Sequence, residues 1–169
     1  TDYCYLYGEQ MLINDFTIPF TLMDDLLSVA EEAGLRVIWL TGGANSLYNA
    51  VAREDYNDFL SAASTYFMDN KTLMAYDLLN EPGYLFGPFG DCYQYDNWMN
   101  NKEVVCDIVS QWYSTIKSNS PGCLVTIGLI SSGETMQWDP ALMSVDFLSF
   151  HPYPGKLPSE PCNSPSLTD

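Results

Sequence analysis

Positive charge is scarce in this sequence. Six Lys and Arg stand against 22 Asp and Glu, which gives a net charge of −16. A field of that sign repels phosphate backbones and anionic bilayers, so neither a nucleic acid nor a membrane is an expected partner. Neutral or cationic ligands stay open, as does the plainer reading that the acidity keeps a secreted protein soluble. Histidine is rarer still: His151 is the single one in 169 residues. The five cysteines, Cys4, Cys92, Cys106, Cys123 and Cys162, include no CxxC pair. With that donor set, neither a metal site nor a cofactor is expected. An odd count leaves at least one thiol free or bonded outside this chain. No apolar run is long enough to span a bilayer. Thr1 opens neither with an initiator Met nor with a signal-like segment, as expected of a mature chain or an internal piece.

What is present suits one folded unit. Hydrophobic residues make up 47% and charged ones 17%, enough for a core within a single domain over 1–169. Aromatics reach 14%. Many of them fit core packing, but those in loops suit stacking on apolar faces such as sugar rings.

Taken in order, residues 1–20 lack a clear period and read as a long loop. Thr21 suits an N-cap, with Asp24 and Asp25 in the first turn. Leu22, Leu26, Ala30 and Ala33, with Met23 and Leu27 beside them, form a helical stripe that Gly34 stops. Leu35 to Leu40 is a short apolar strand. Tyr56, Phe59, Leu60, Ala63 and Phe67 carry a second helical stripe, and Asn70-Lys71 turns the chain. Leu73 to Leu79 is then a nearly continuous apolar run, as in a parallel strand covered on both faces. It ends on Asn80-Glu81 and breaks at Pro82-Gly83. A loop dense in Gly and aromatics runs from Gly83 to Asn100, long enough to favour a functional role. Asn100 with Glu103 resembles a capping box, and Val105, Ile108, Val109, Trp112 and Ile116 line a third helix. Cys123 to Ile130 and Val145 to Phe150 are the last two strands.

Helix and strand in alternation imply parallel strands with right-handed crossovers. The strand ends carry Gly-Gly, Asn-Glu-Pro, Ser-Ser-Gly-Glu and His-Pro-Tyr, which places the polar chemistry on one rim. The expected fold class is therefore α/β, a partial (β/α)8 TIM barrel. A flavodoxin-like sheet would also alternate, but no phosphate-binding glycine turn is present.

On that rim Glu81 suits a general acid, since an aromatic-lined mouth raises a carboxyl pKa by desolvation. Asn80 can donate to a sugar hydroxyl. For both to face the mouth, the strand must depart from simple alternation there. Asp77 is expected to pair with a buried cation. Trp39 and Trp138, near strand ends, suit sugar stacking and packing alike.

The stretch Tyr76-Asp77-Leu78-Leu79-Asn80-Glu81-Pro82 resembles the fourth-strand motif of glycoside hydrolase clan A, most of all its family-five, cellulase- and mannanase-type members. Asp146-Phe147-Leu148-Ser149-Phe150-His151-Pro152-Tyr153 resembles the sixth-strand motif of the same group. The resemblance spans roughly residues 20–155 and covers about the third to sixth strands. It implies a retaining hydrolase of β-linked polysaccharides or oligosaccharides with Glu81 as general acid/base. It also implies that Asn80 binds beside the anomeric centre, with His151 and Tyr153 next to the sugar and the nucleophile. In the family the nucleophilic Glu ends the seventh strand. The chain is thus expected to be an interior segment whose nucleophile lies outside it, inactive alone, with the rest of the barrel supplied by the same longer protein. Glu134 follows the third visible strand, and a solvated loop acid is its better reading. The alternative is a non-catalytic carbohydrate-binding or structural protein with a degenerate barrel. An extracellular location, a Cys92–Cys162 disulfide, no bond between Cys106 and Cys123, and a sequon at Asn70 complete the expectations.

Overall fold

The computed structural model describes residues 3–6, 9–12, 17–42, 50–81, 95–129 and 144–151, with side chains for 20–42, 50–81, 103–129 and 144–151. The expected loop at the start contains a hairpin instead. Strands β1 (Tyr3–Leu6) and β2 (Glu9–Leu12) pair antiparallel, Tyr3 opposite Leu12 and Leu6 opposite Glu9. Their Tyr-rich sequence is too short to show a period, which is why it reads as loop.

Helix α1 (Thr17–Glu32) starts four residues before Thr21. Pro19 falls in its first turn, where backbone N–H groups have no intrahelical partner. Thr21 is an exposed residue inside the helix, so Asp24 and Asp25 are not in its first turn. Its buried stripe is also rotated from the expected one. Phe20, Met23, Leu27 and Ala30 face the core, while Leu26 is 48% exposed. Two apolar stripes lie side by side on this helix, and periodicity alone cannot choose between them. The stop is as expected. Gly34 has φ +70, its N–H donates to Glu31 O at 2.9 Å, and Leu35 N–H donates to Ala30 O at 2.8 Å. That bond pair is a Schellman motif, and its left-handed position suits glycine.

Strand β3 (Val37–Leu40) follows, then α2 (Ala50–Tyr66), β4 (Leu73–Asn80), α3 (Tyr95–Asn119), β5 (Leu124–Leu129) and β6 (Ser149–Phe150). Strands β3-β4-β5-β6 form one parallel sheet in sequence order. Each step between neighbours adds one strand on the same side, the progression of a (β/α)8 barrel wall. Asn100 and Glu103 lie within α3, which begins five residues before Asn100.

The core lies between sheet and helices. Leu78 and Leu79 of β4, Val125, Ile127 and Leu129 of β5, Leu60 of α2, and Val109, Trp112 and Ile116 of α3 are all within 1% of full burial. Tyr56 meets Trp112 edge-on at 4.8 Å, locking α2 to α3. Polar bonds brace the same pair: Thr115 Oγ1 donates to Asn57 Oδ1 at 2.7 Å, and Asn119 Nδ2 to Ser64 Oγ at 3.1 Å. On the sheet face away from the helices, Ile38 and Leu40 are each 46% exposed.

The last strand is shorter than the expected Val145 to Phe150. Ahead of Ser149 the segment is held by one backbone bond, Asp146 N–H to Val125 O at 2.8 Å, and by side chains. Asp146 Oδ2 accepts Val125 N–H at 2.8 Å, and Thr126 Oγ1 donates to Phe147 O at 2.7 Å. Lys117 Nζ closes the arrangement, 2.7 Å from both Asp146 Oδ2 and Cys123 O. Cys106 and Cys123 are both buried and are not bonded to each other, as expected. Burial pushes the Cys123 thiol up to about 11, so it stays protonated at neutral pH.

Candidate active site

The polar ends of β4 and β6 converge at one rim. Glu81, one residue past β4, is 9% exposed, and its Oε1 lies 2.7 Å from His151 Nδ1. The two residues are 70 positions apart in sequence. They meet because β4 and β6 flank β5: Glu81 N–H donates to Gly128 O at 2.7 Å, and His151 N–H donates to Leu129 O at 2.8 Å. Both side chains are thus carried on backbone anchored to the same strand.

Strand β4 departs from alternation just before this point. Asp77 pairs with Thr126 and Asn80 with Gly128, three steps on β4 against two on β5. The extra residue is a bulge, which re-aims the side chains that follow it. Glu81 then takes φ 50, the left-handed region, which costs a residue with a Cβ on the order of 1–2 kcal/mol. Asn80 ends the strand and is exposed.

Two residues support the bulge, Tyr56 and Thr41. Tyr56 Oη donates to Leu78 O at 2.9 Å and lies 2.8 Å from Thr41 Oγ1. Thr41 N–H donates to Asp77 O at 2.9 Å. Burial in this bed raises the Tyr56 phenol well above its ordinary range, so it remains a donor.

Asp77 points into the site floor. Its Oδ1 accepts Gly128 N–H at 2.9 Å. A methyl group at Gly128 would lie 3.1 Å from Asp77 Oδ2 and 2.9 Å from His151 Nε2, so carboxylate and ring share the space above that glycine. Desolvation raises the Asp77 pKa, against smaller lowering effects from the Gly128 and Leu79 amides and from His151. The buried cation expected beside Asp77 is therefore not a Lys or Arg among the described residues; its neighbours are backbone amides and the imidazole.

Of the residues singled out from sequence, the structure brings Glu81 and His151 together and sets Asn80 at the same strand end. Trp39 packs edge-on against Phe59 and Phe67 at 5.7 and 5.8 Å and lies 6.0 Å from Tyr76. Of its two open readings, packing is the one these rings fulfil. Tyr153, Trp138, Glu134, Cys92 and Cys162 lie outside the described residues, and so does Pro82. Among the described residues, no three His, Cys, Asp or Glu side chains gather as metal ligands would. Sequence reading missed Tyr56, Thr41 and Gly128 as parts of the site. Tyr56 matched a helical stripe, and nothing local marks its hydroxyl as bound for a strand 22 residues away.

No protein-family model and no curated protein sequence matches the chain. Solved structures do. A beta-1,4-mannanase from the common sea hare Aplysia kurodai superposes with a TM-score of 0.60 at 18% identity, over 82% of this chain and 52% of that one. A beta-1,4-D-mannanase from Cryptopygus antarcticus gives 0.59 at 18% identity, over 90% and 51%. An endo-1,4-beta-mannanase from Eisenia fetida gives 0.58 at 16% identity, over 78% and 47%. The chain thus spans about half the length of these enzymes. The resemblance carried by the two strand-end motifs holds at the level of fold: these residues are part of a (β/α)8 barrel of the kind the beta-mannanases carry.

Proposed function

We propose that the chain is part of a retaining glycoside hydrolase acting on a β-linked polysaccharide, with Glu81 as general acid/base. The observation that carries this reading is the buried Glu81 carboxyl at the end of β4, bonded to His151 Nδ1 at 2.7 Å. An acid that donates to a leaving oxygen must be held in a fixed place and partly shielded from water. Asn80 beside it binds the hydroxyl next to the anomeric centre. Tyr153, two residues past His151, and Trp138 are proposed sugar contacts. The nucleophile and the strands that complete the barrel come from the rest of a longer protein. β-Mannan is the first substrate to test, because the superposed structures are mannanases. A polysaccharide substrate fits an extracellular protein.

The test compares aryl glycosides of good and poor leaving-group ability in the full-length protein. Glu81→Gln is expected to slow the poor leaving group by about 10²–10⁴-fold, and the good one far less. Equal losses on both sink the acid/base assignment. Binding of mannan without any hydrolysis by the parent protein identifies a carbohydrate-binding protein with an inactive barrel.

A further inference from the structure

The hydrogen bond between Glu81 and His151 can be made in two ways. If the neutral imidazole carries its proton on Nδ1, the ring donates to Glu81 and favours an ionised carboxylate. If the proton is on Nε2, then Nδ1 accepts, and the bond is made by the acid proton of Glu81 itself. Only the second arrangement suits a resting general acid. Something on the Nε2 side of the ring must select it.

Among the described residues, the groups around Asp77 and that side of the ring are few. From β5 come the Gly128 backbone and, further along, the buried Thr126, neither titratable. From α2 comes the Tyr56 phenol, held protonated by burial. From β4 comes the Asp77 carboxyl. Its Oδ1 is occupied by Gly128 N–H, which leaves Oδ2 on the side where His151 Nε2 lies. Gly128 keeps the space between them open, since a side chain there would lie within 3.1 Å of both.

We propose that Asp77 is a positioning residue: its carboxylate keeps a proton on Nε2 of His151, so that Nδ1 meets Glu81 as an acceptor and the carboxyl keeps its own proton. This deepens the reading of Glu81 as acid/base and rests on it for its catalytic meaning. The pairing itself is a property of the protein without substrate. When Glu81 gives its proton to the leaving oxygen, the bond electrons leave with that oxygen and His151 is left facing a new carboxylate. The Asp77 side then matters most for the acid step and least for the step in which Glu81 acts as base.

The tautomer can be read directly. In Glu81→Gln the neutral amide stands in for the protonated acid and has no charge with which to choose a ring nitrogen. Imidazole ¹⁵N shifts of His151, assigned by their loss in His151→Gln, are expected to show the Nε2–H form ahead by about tenfold, the ratio that one pKa unit of neighbouring charge gives. Adding Asp77→Asn removes the charge on the Nε2 side and puts an amide N–H there in place of Oδ2, and the Nδ1–H form is then expected to lead. A neutral ring carrying its proton on Nδ1 in Glu81→Gln overturns the proposal without need of the second variant. So does a ratio that Asp77→Asn moves by less than about twofold. In the otherwise unaltered protein, Asp77→Asn should slow poor leaving groups more than good ones. The spectra need no substrate, so they stand or fall apart from the leaving-group test on Glu81.

Discussion

Asp77 is buried beside two backbone donors and an imidazole, and its raised pKa has a consequence for stability. An acid whose folded-state pKa lies above the ordinary 3.8 holds a proton in the folded chain that the unfolded chain has already released. Its contribution therefore favours the folded state in acid and fades as pH rises through the folded value. Asp77→Asn removes that slope. Relative to the parent, the variant is expected to gain stability between about pH 4 and pH 7 in urea unfolding, whatever constant offset the lost bonding adds. A relative loss over the same interval contradicts the burial of this carboxyl. Asp77 was legible in the sequence as an acid within an apolar run. Its partner was not, because that partner is a glycine amide 51 residues away, and backbone donors leave no mark in a sequence.

Strand β4 works as an element because its last turn is irregular. The bulge between Asp77 and Asn80 leaves the Leu78 carbonyl to be satisfied from outside the sheet, and Tyr56 of α2 supplies the donor. Tyr56→Phe leaves that buried carbonyl without its partner at a cost of about 1–3 kcal/mol in urea unfolding. The same change should lower kcat more than KM, since Glu81 is carried on the backbone the bond supports. A variant as stable and as active as the parent would show that the carbonyl finds another donor. The need for a departure from alternation was readable from Asn80 and Glu81 standing together at a strand end. Its means was not, because the hydroxyl arrives from a helix whose stripe reads as ordinary packing. Helix α1 shows the same limit: Leu26 and Leu27 are equally apolar, and only the packed sheet decides that Leu27 is the buried one.

For the whole molecule, the sheet face away from the helices carries Ile38 and Leu40, each 46% exposed. In a closed (β/α)8 barrel that face lines the packed interior. In the full-length protein, Leu40→Ser is therefore expected to cost about 1.5–3 kcal/mol on chemical unfolding, as for a buried leucine. A change below about 0.5 kcal/mol, as for a surface site, would show that β3 stays in water. The barrel class and the rim were legible at sequence level because strand, helix and polar strand end recur in a fixed order. The hairpin of β1 and β2 was not, since four-residue strands are too short for a pattern to stand out.

One feature of the site bears on how this protein can change over evolutionary time. Glu81 sits in a backbone conformation that glycine adopts freely and glutamate does not. At this position the most comfortable residue for the fold and the one able to carry a proton are different. Drift toward thermostability alone would thus erase the carboxyl early, leaving a sounder barrel with an empty rim. On the proposed reading of Glu81 as the acid, a glutamate here is kept by selection on chemistry, against the preference of the chain that bears it.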